Sequence, residues 1–447
     1  MSALEFQSLL AAAVAACAVI TLIFIALRAP WFAACTTIVA VAMVPVWYGT
    51  SLGPFFVDAH MVLAIVSIIG MAISRPMPVR FTLVDVLVVG LFGTVLLIQL
   101  LGMTSLNQVY GVFLWVVPYV FGRMVLDRWQ PQQVFTVIAI AFSIVAVAAL
   151  FEAIGGTNIW VETTPFSNSK FIQWSGQQVR ADSVRPEAAF GHPIALGISL
   201  AAASILTLGS SLRIQFRLSL TALMAIAAFT TLSRGAMITC ALGMLLMIVI
   251  PRSRLRRGTR VGLLMVLTAA AGVYFAYFSE VLVDSGDEGA DSASYRGWIL
   301  ALIPTLQPLG YASSYWRSSD GVNTYGEFRS IDNALLILGL AVGWVPLLIL
   351  AIALVLTAFG AVSRYSGPAQ IAFAALIPSL FGVALITQYS FVFWMVAGFA
   401  VSESIRNRES TADHPGLSLT RSRAGGSPPS IPAPIPASHR PTGSRNP

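Results

Sequence analysis

The feature that most limits what this chain can become is a succession of apolar runs, each about sixteen to twenty-odd residues long, separated by short polar breaks. A helix rises about 1.5 Å per residue, so such runs match a hydrocarbon core about 30 Å thick. A membrane β-barrel needs strands of alternating polarity about ten residues long instead, and the sequence has none. Only 10% of the residues are charged and 57% are hydrophobic, against roughly a quarter charged in an average soluble domain. No water-soluble fold hides that much apolar surface. The expected fold is therefore all-α, a polytopic transmembrane bundle of about 12–13 spans. They are read at 8–27, 31–49, 57–74, 83–101, 109–126, 134–153, 190–209, 216–232, 235–250, 261–279, 332–360, 368–386 and 388–403.

Arginines mark alternate breaks: Arg28; Arg75 and Arg80; Arg123 and Arg128; Arg213 and Arg217; Arg252, Arg254, Arg256, Arg257 and Arg260; Arg364; Arg406 and Arg408. The breaks at 50–58 and 102–108 carry none. By the positive-inside rule the marked breaks are cytoplasmic, which puts the N-terminus outside and the C-terminus inside. The first run lacks a basic flank and a small-residue cleavage site, so it reads as a retained span. Two long segments, 154–189 and 280–331, then fall on the outer face. The second holds seven acids between Glu280 and Glu327 against Arg296, Arg317 and Arg329, a balance of four negative charges. From 410 onward the chain becomes rich in Pro, Ser and Arg, with eight of the 24 prolines, and is expected to be a disordered cytoplasmic tail holding His414 and His439. The net charge of +7 is spread over membrane flanks and tail and implies no nucleic-acid partner. Cys17, Cys35 and Cys240 lie inside apolar runs and read as small hydrophobic residues.

Phosphate-binding Gly loops, HExxH, Cys/His clusters and nucleophile elbows are all absent, so no cofactor or metal is expected. Asp284, Asp287, Glu288 and Asp291 lack EF-hand spacing and read as a solvated acidic turn. Attention falls on ionisable groups at membrane depth, which are expensive and hence functional by default. Arg234, in Thr231-Leu232-Ser233-Arg234-Gly235, sits between runs of about fifteen or sixteen residues, roughly 22–24 Å of helix. That is shorter than the bilayer core, so the hairpin tip should be sunk below the surface and its guanidinium should need an anion. Otherwise it snorkels to headgroups or pairs with a loop acid. Arg296, in Ser294-Tyr295-Arg296-Gly297-Trp298, offers a planar fork suited to phosphate, with Tyr295 and Trp298 as faces for sugar rings. An ordinary loop ion pair is the alternative. Asp332, before Asn333 at the mouth of a span, is either a helix N-cap or a general base whose carboxyl is raised by partial desolvation and opposed by arginine. Arg185 and His192 are candidates to line the same cavity, although a lone His at a span end is often only structural. Pro45, Pro118, Pro193, Pro346 and Pro378 read as kinks.

In order and sidedness these features resemble the O-antigen ligase and O-antigen/exopolysaccharide polymerase family of membrane glycosyltransferases. The resemblance covers about 180 to 350 and rests on these short motifs: Arg185 with Gly191-His192-Pro193; Leu232 to Gly235; a basic break; Arg296 with Trp298; Pro308 and Gly310; and Asp332-Asn333 before Gly339 and Gly343. It implies a GT-C-like bundle in a bacterial inner membrane and a metal-independent, inverting transfer. Arg234 and Arg296 would hold the pyrophosphate of a polyprenyl-linked oligosaccharide, and Asp332 would assist the hydroxyl of a glycan or lipid acceptor. Arg185, His192, Tyr295, Trp298 and Asn333 would bind substrate. Membrane lipids and other polysaccharide-export proteins are the further partners implied. Ligases that act on lipid A-core usually have His where this chain has Asp332, which favours a polymerase or a ligase for another acceptor. A transporter or flippase of polysaccharide precursors and a non-catalytic scaffold are the rival readings, although transporter sites usually lie nearer the bilayer midplane.

Overall fold

The structure, a computed structural model, describes residues 20–53, 55–74, 80–164, 172–174, 176–180, 183–250, 257–284, 294–319, 322–363 and 366–412. Cys17, the start of the first apolar run, Arg75, Arg252, Arg254, Arg256, Arg364, Asp287, Glu288, Asp291 and the tail from 413, with His414 and His439, lie outside the described residues. The chain divides into two units, Met1–Asn407 and Arg408–Pro447.

The first unit is a helical bundle. Its helices are α1 (20–28), α2 (Pro30–Met43), α3 (Ala59–Ser74), α4 (Leu83–Leu100), α5 (Leu106–Arg128), α6 (Pro131–Gly155), the single turn α7 (Ile159–Glu162), α8 (Pro193–Thr207), α9 (Ile214–Thr230), α10 (Arg234–Val249) and α11 (Arg257–Asp284). They continue with α12 (294–300), α13 (Ala334–Val342), α14 (Trp344–Val362), α15 (Pro368–Leu376) and α16 (Thr387–Ala412), of which the part up to Asn407 belongs to this unit. Among the described residues four of them, α4, α5, α6 and α14, are long and apolar enough to cross a membrane. Three short antiparallel hairpins interrupt the otherwise helical pattern: β1–β2 (Gly49–Leu52, Phe55–Asp58), β3–β4 (Val179–Arg180, Ser183–Val184) and β5–β6 (Tyr315–Arg317, Asn323–Tyr325).

Two expected runs are not single helices. The run read at 332–360 breaks between α13 and α14 at Gly343, whose φ is 100°. The loop beneath takes up the backbone groups that the break frees: Gly310 N donates to Val342 O (2.9 Å), Ala312 N to Leu340 O (2.8 Å) and Trp344 N to Gln307 O (2.9 Å). The run read at 368–386 stays α-helical only to Leu376, tightens into a 3₁₀ turn over Ile377–Phe381, and leaves helical geometry before α16 begins. Pro378 is thus more than a kink, because it lies where the helix ends.

Helix α8 is the axis of the bundle, buried along almost its whole length and packed against α6, α9, α10 and α15. Its small residues, among them Gly197, Ala201, Ala202 and Ala203, let neighbouring backbones approach, the usual means of tight packing where lipid removes the hydrophobic drive. A Cβ at Gly197 would stand 2.7 Å from the Ala236 Cβ, so this glycine lets the turn between α9 and α10 lie on α8. Elsewhere, Arg123 on α5 donates through Nε to Asp85 Oδ1 (2.9 Å) and through a terminal nitrogen to Asp85 Oδ2 (3.2 Å) on α4. The same guanidinium reaches Ser402 on α16 at 2.5 Å. With every charge answered, this buried pair joins three helices and leaves nothing for a ligand.

Candidate functional site

The turn between α9 and α10 carries the first candidate. Thr231 closes α9, Leu232 adopts φ 54° although it is not glycine, and Ser233 caps α10 by accepting from Ala236 N at 3.2 Å. A left-handed leucine is a strained conformation, held only where its surroundings over-determine it. Here it reverses the chain so that Arg234 becomes the first residue of α10. The two helices number 17 and 16 residues, which keeps this tip on short supports. The amides of Arg234 and Gly235 start the helix with no intrahelical acceptor, an arrangement that favours anions.

Helix α12 supplies Arg296. The Tyr295 hydroxyl donates to Ser330 O at 2.8 Å and its ring meets Phe328 edge-on at 5.7 Å, so this helix is fastened to the strand of chain that leads to Asp332. The cap of α13 is Asn333: its Oδ1 accepts from Leu336 N (2.9 Å) while its Nδ2 donates to Phe381 O (3.2 Å). Asp332 therefore lies just before the helix and caps nothing, which removes the N-cap explanation for that carboxylate. Partial desolvation beside the walls raises the Asp332 carboxyl above the ordinary carboxylate range, although the residue keeps an exposed surface, and Arg296 nearby opposes the shift.

The β3–β4 hairpin brings a third arm. Arg185 Nε donates to Thr231 O at 2.9 Å and a terminal nitrogen donates to Gln178 Oε1 at 3.3 Å, so this guanidinium is fixed between the hairpin and the α9–α10 turn. Behind it Glu187 is fully buried, with Oε1 accepting from Gln178 N (3.1 Å) and Oε2 buried without a hydrogen-bond partner. Burial first, and the nearby Glu152 after it, push the Glu187 carboxyl up to about 7, partly offset by Gln178 N and Arg185.

These arms enclose one cavity of about 600 Å³. Arg185, Arg234, Arg296, Asp332, Tyr295 and Asn333, six of the eight residues singled out from sequence, line it, and Arg180 joins them. Four guanidinium groups thus face one carboxylate among the described lining residues. Among the described residues neither Arg234 nor Arg296 has a carboxylate within ion-pairing distance. Apart from Ser233 and Ser379 the remaining described wall is apolar, and Ile238, Leu300 and Phe381 on it are more than half exposed. No group of three or more His, Cys, Asp or Glu side chains gathers among the described residues.

Two residues stand apart. His192 caps α8, its Nδ1 accepting from Ile194 N (3.2 Å) and its ring set edge-on to Trp174 at 5.7 Å, and it does not line the cavity. Trp298 is also outside the lining and is 64% exposed, because two residues on from Arg296 a helix has turned to its other side. Asn333 touches the cavity, but its amide is engaged in the cap and the Phe381 contact. Sequence reasoning passed over Arg180 and the 378–383 segment, which contributes Pro378, Ser379 and Phe381 to the wall. The signal for that segment was present in Pro378 and Gly382, a helix breaker and a glycine four residues apart. No family model, curated protein or solved structure matches the chain.

Proposed function

We propose that this protein is a membrane glycosyltransferase of the O-antigen/exopolysaccharide polymerase kind, transferring a polyprenyl-pyrophosphate-linked glycan to an acceptor hydroxyl in this cavity. The observation that carries the reading is the convergence of Arg180, Arg185, Arg234 and Arg296 around a space that also holds Asp332. The ligand that such a site suits has a doubly anionic head. The exposed apolar wall of Ile238, Leu300 and Phe381 suits a head attached to a hydrocarbon chain. The arginine-marked breaks put this end of the bundle on the extracytoplasmic side, where such a lipid-linked glycan would be presented.

The chemistry follows from the residue types. Asp332 accepts the proton of the acceptor hydroxyl as its oxygen attacks the anomeric carbon. The bond from that carbon to the phosphate oxygen breaks, and the electron pair leaves with the diphosphate. Arg234 and Arg296 stand where negative charge grows on the departing oxygens, and fixed donors placed at developing charge supply most of such a barrier reduction. The α10 amides add to the same field. A single displacement inverts the anomeric centre. A partly desolvated carboxylate with a raised proton affinity is a better base than a free one, and Arg296 beside it opposes the rise.

Purified protein incubated with a polyprenyl-pyrophosphate oligosaccharide tests this. The reading expects a ladder of longer glycans. A protein that only moved the lipid across vesicles would be a transporter, and one that did neither would be a scaffold; both outcomes refute the enzyme.

A further inference from the structure

Glu152 lies in the last turn of α6, is only 3% exposed and does not line the cavity. Four N–H groups nevertheless converge on it. Oε1 accepts from Asn158 Nδ2 (3.0 Å), Gln177 Nε2 (3.1 Å) and Glu187 N (3.1 Å), and Oε2 accepts from Ala188 N (2.7 Å). Three of these donors belong to the two ends of one structure. Gln177 precedes β3, Glu187 and Ala188 follow β4, and between them the pairs Val179 with Val184 and Arg180 with Ser183 close the hairpin. Arg180 and Arg185, both of the cavity, lie between those anchor points. Arg185 N also donates to Gln178 O (2.9 Å), which draws the two ends together.

A two-pair hairpin does not hold its own shape in water. Its position is therefore set from outside, and on the α6 side the polar contact among the described residues is one carboxylate. A carboxylate is acceptor-only and can take all four bonds, whereas an amide in its place would turn an N–H group against at least one of the donors. We propose that Glu152 is a positioning residue for the diphosphate site: by gripping both ends of the β3–β4 hairpin from α6, it holds Arg180 and Arg185 where their guanidinium groups face the cavity. The inference rests on the reading of the cavity as a diphosphate site. A charge-assisted network of this kind costs desolvation at Glu152 and Glu187, and among the described residues the two arginines are what the β3–β4 hairpin and its flank deliver to the cavity.

The test is a coupling measurement on full-length, detergent-purified protein, with farnesyl diphosphate as the probe. Glu152→Gln is expected to weaken binding about tenfold in the wild-type background, the order of one or two charge-assisted hydrogen bonds. In the background of Arg180→Ala with Arg185→Ala it is expected to change binding by less than about twofold, because the hairpin then has nothing to present. Equal weakening in both backgrounds means that Glu152 serves only general stability, and overturns the proposal. So does wild-type affinity in Glu152→Gln while the arginine variant binds weakly, a result that leaves the diphosphate reading standing. Wild-type affinity in the arginine variant itself instead refutes a role for the hairpin in diphosphate binding. Gln177→Ala removes one of the three hairpin donors with less disturbance of α6. It must show the same coupling, and it decides between the outcomes if Glu152→Gln does not fold.

Discussion

Asp332 and Asn333 are adjacent in sequence; the structure makes Asn333 a helix cap, and the proposed function makes Asp332 a base. The Asn333 amide caps α13 through Leu336 N and ties it to Phe381 O. A lost N-cap costs about 1 kcal/mol and the second hydrogen bond, which is exposed, adds less, so Asn333→Ala should destabilise the protein by about 1 kcal/mol or slightly more. The Asp332 carboxylate makes no hydrogen bond or ion pair among the described residues, so Asp332→Asn should alter stability by less than about 0.5 kcal/mol. For turnover the order reverses. Removing a general base lowers the rate about a hundredfold to ten-thousandfold, while the loss of the cap acts only through the position of its neighbour. Thermal unfolding of the detergent-solubilised variants, beside initial rates of glycan extension, reads both quantities on the same samples. If Asp332→Asn lowers stability as much as Asn333→Ala does, or keeps wild-type turnover, the assignment of base and cap is wrong.

Other outcomes follow from the same geometry. Arg234→Ala and Arg296→Ala should each abolish polymer formation without loss of the protein from the membrane, checked by glycan gels beside quantification of the protein; wild-type product from either counts against the site. Glu187 keeps its proton in the folded protein up to about pH 7, against 4.5 for the free group. The stability it contributes is therefore complete below about pH 4.5 and falls as pH rises towards 7. Melting curves from about pH 5 to about pH 8 should show the wild type losing stability relative to Glu187→Gln, and parallel curves would contradict the burial argument. Gly343→Ala places a Cβ 2.6 Å from Pro308 O at a φ of 100°. It should cost roughly 1–3 kcal/mol or more, read by the same melting assay.

Much of the bundle was legible because each helix is written as a long apolar run, and the positions of the described helices follow those runs closely. The breaks inside 332–360 and 368–386 were not, because both stretches are apolar throughout. What divides them is a left-handed glycine answered by a distant loop in one case and a 3₁₀ turn at Pro378 in the other. Neither feature alters hydropathy. Within the site, Arg185, Arg234, Arg296 and Asp332 stood out because a charge beside an apolar run needs an explanation. Arg180 did not, since it sits in a polar stretch where arginine is ordinary and only the β3–β4 pairing brings it to the cavity. His192 and Trp298 looked equally suited by residue type. Their orientation depends on a cap geometry and on a helix whose phase the sequence does not reveal. Glu152 was invisible for a further reason: its four donors come from as far away as Ala188, and nothing local marks a carboxylate that works by accepting backbone amides.

In the proposed reaction, guanidinium groups from separate stretches together grip a diphosphate. An electron cryomicroscopy structure of the full-length protein in nanodiscs with a polyprenyl-pyrophosphate oligosaccharide tests it most directly. The account predicts diphosphate density between Arg234 and Arg296, with the glycan's first sugar beside Asp332 and the hydrocarbon chain leaving past Ile238 and Phe381. Diphosphate density elsewhere on the protein, or an empty arginine cavity in a lipid-bound complex, would contradict it.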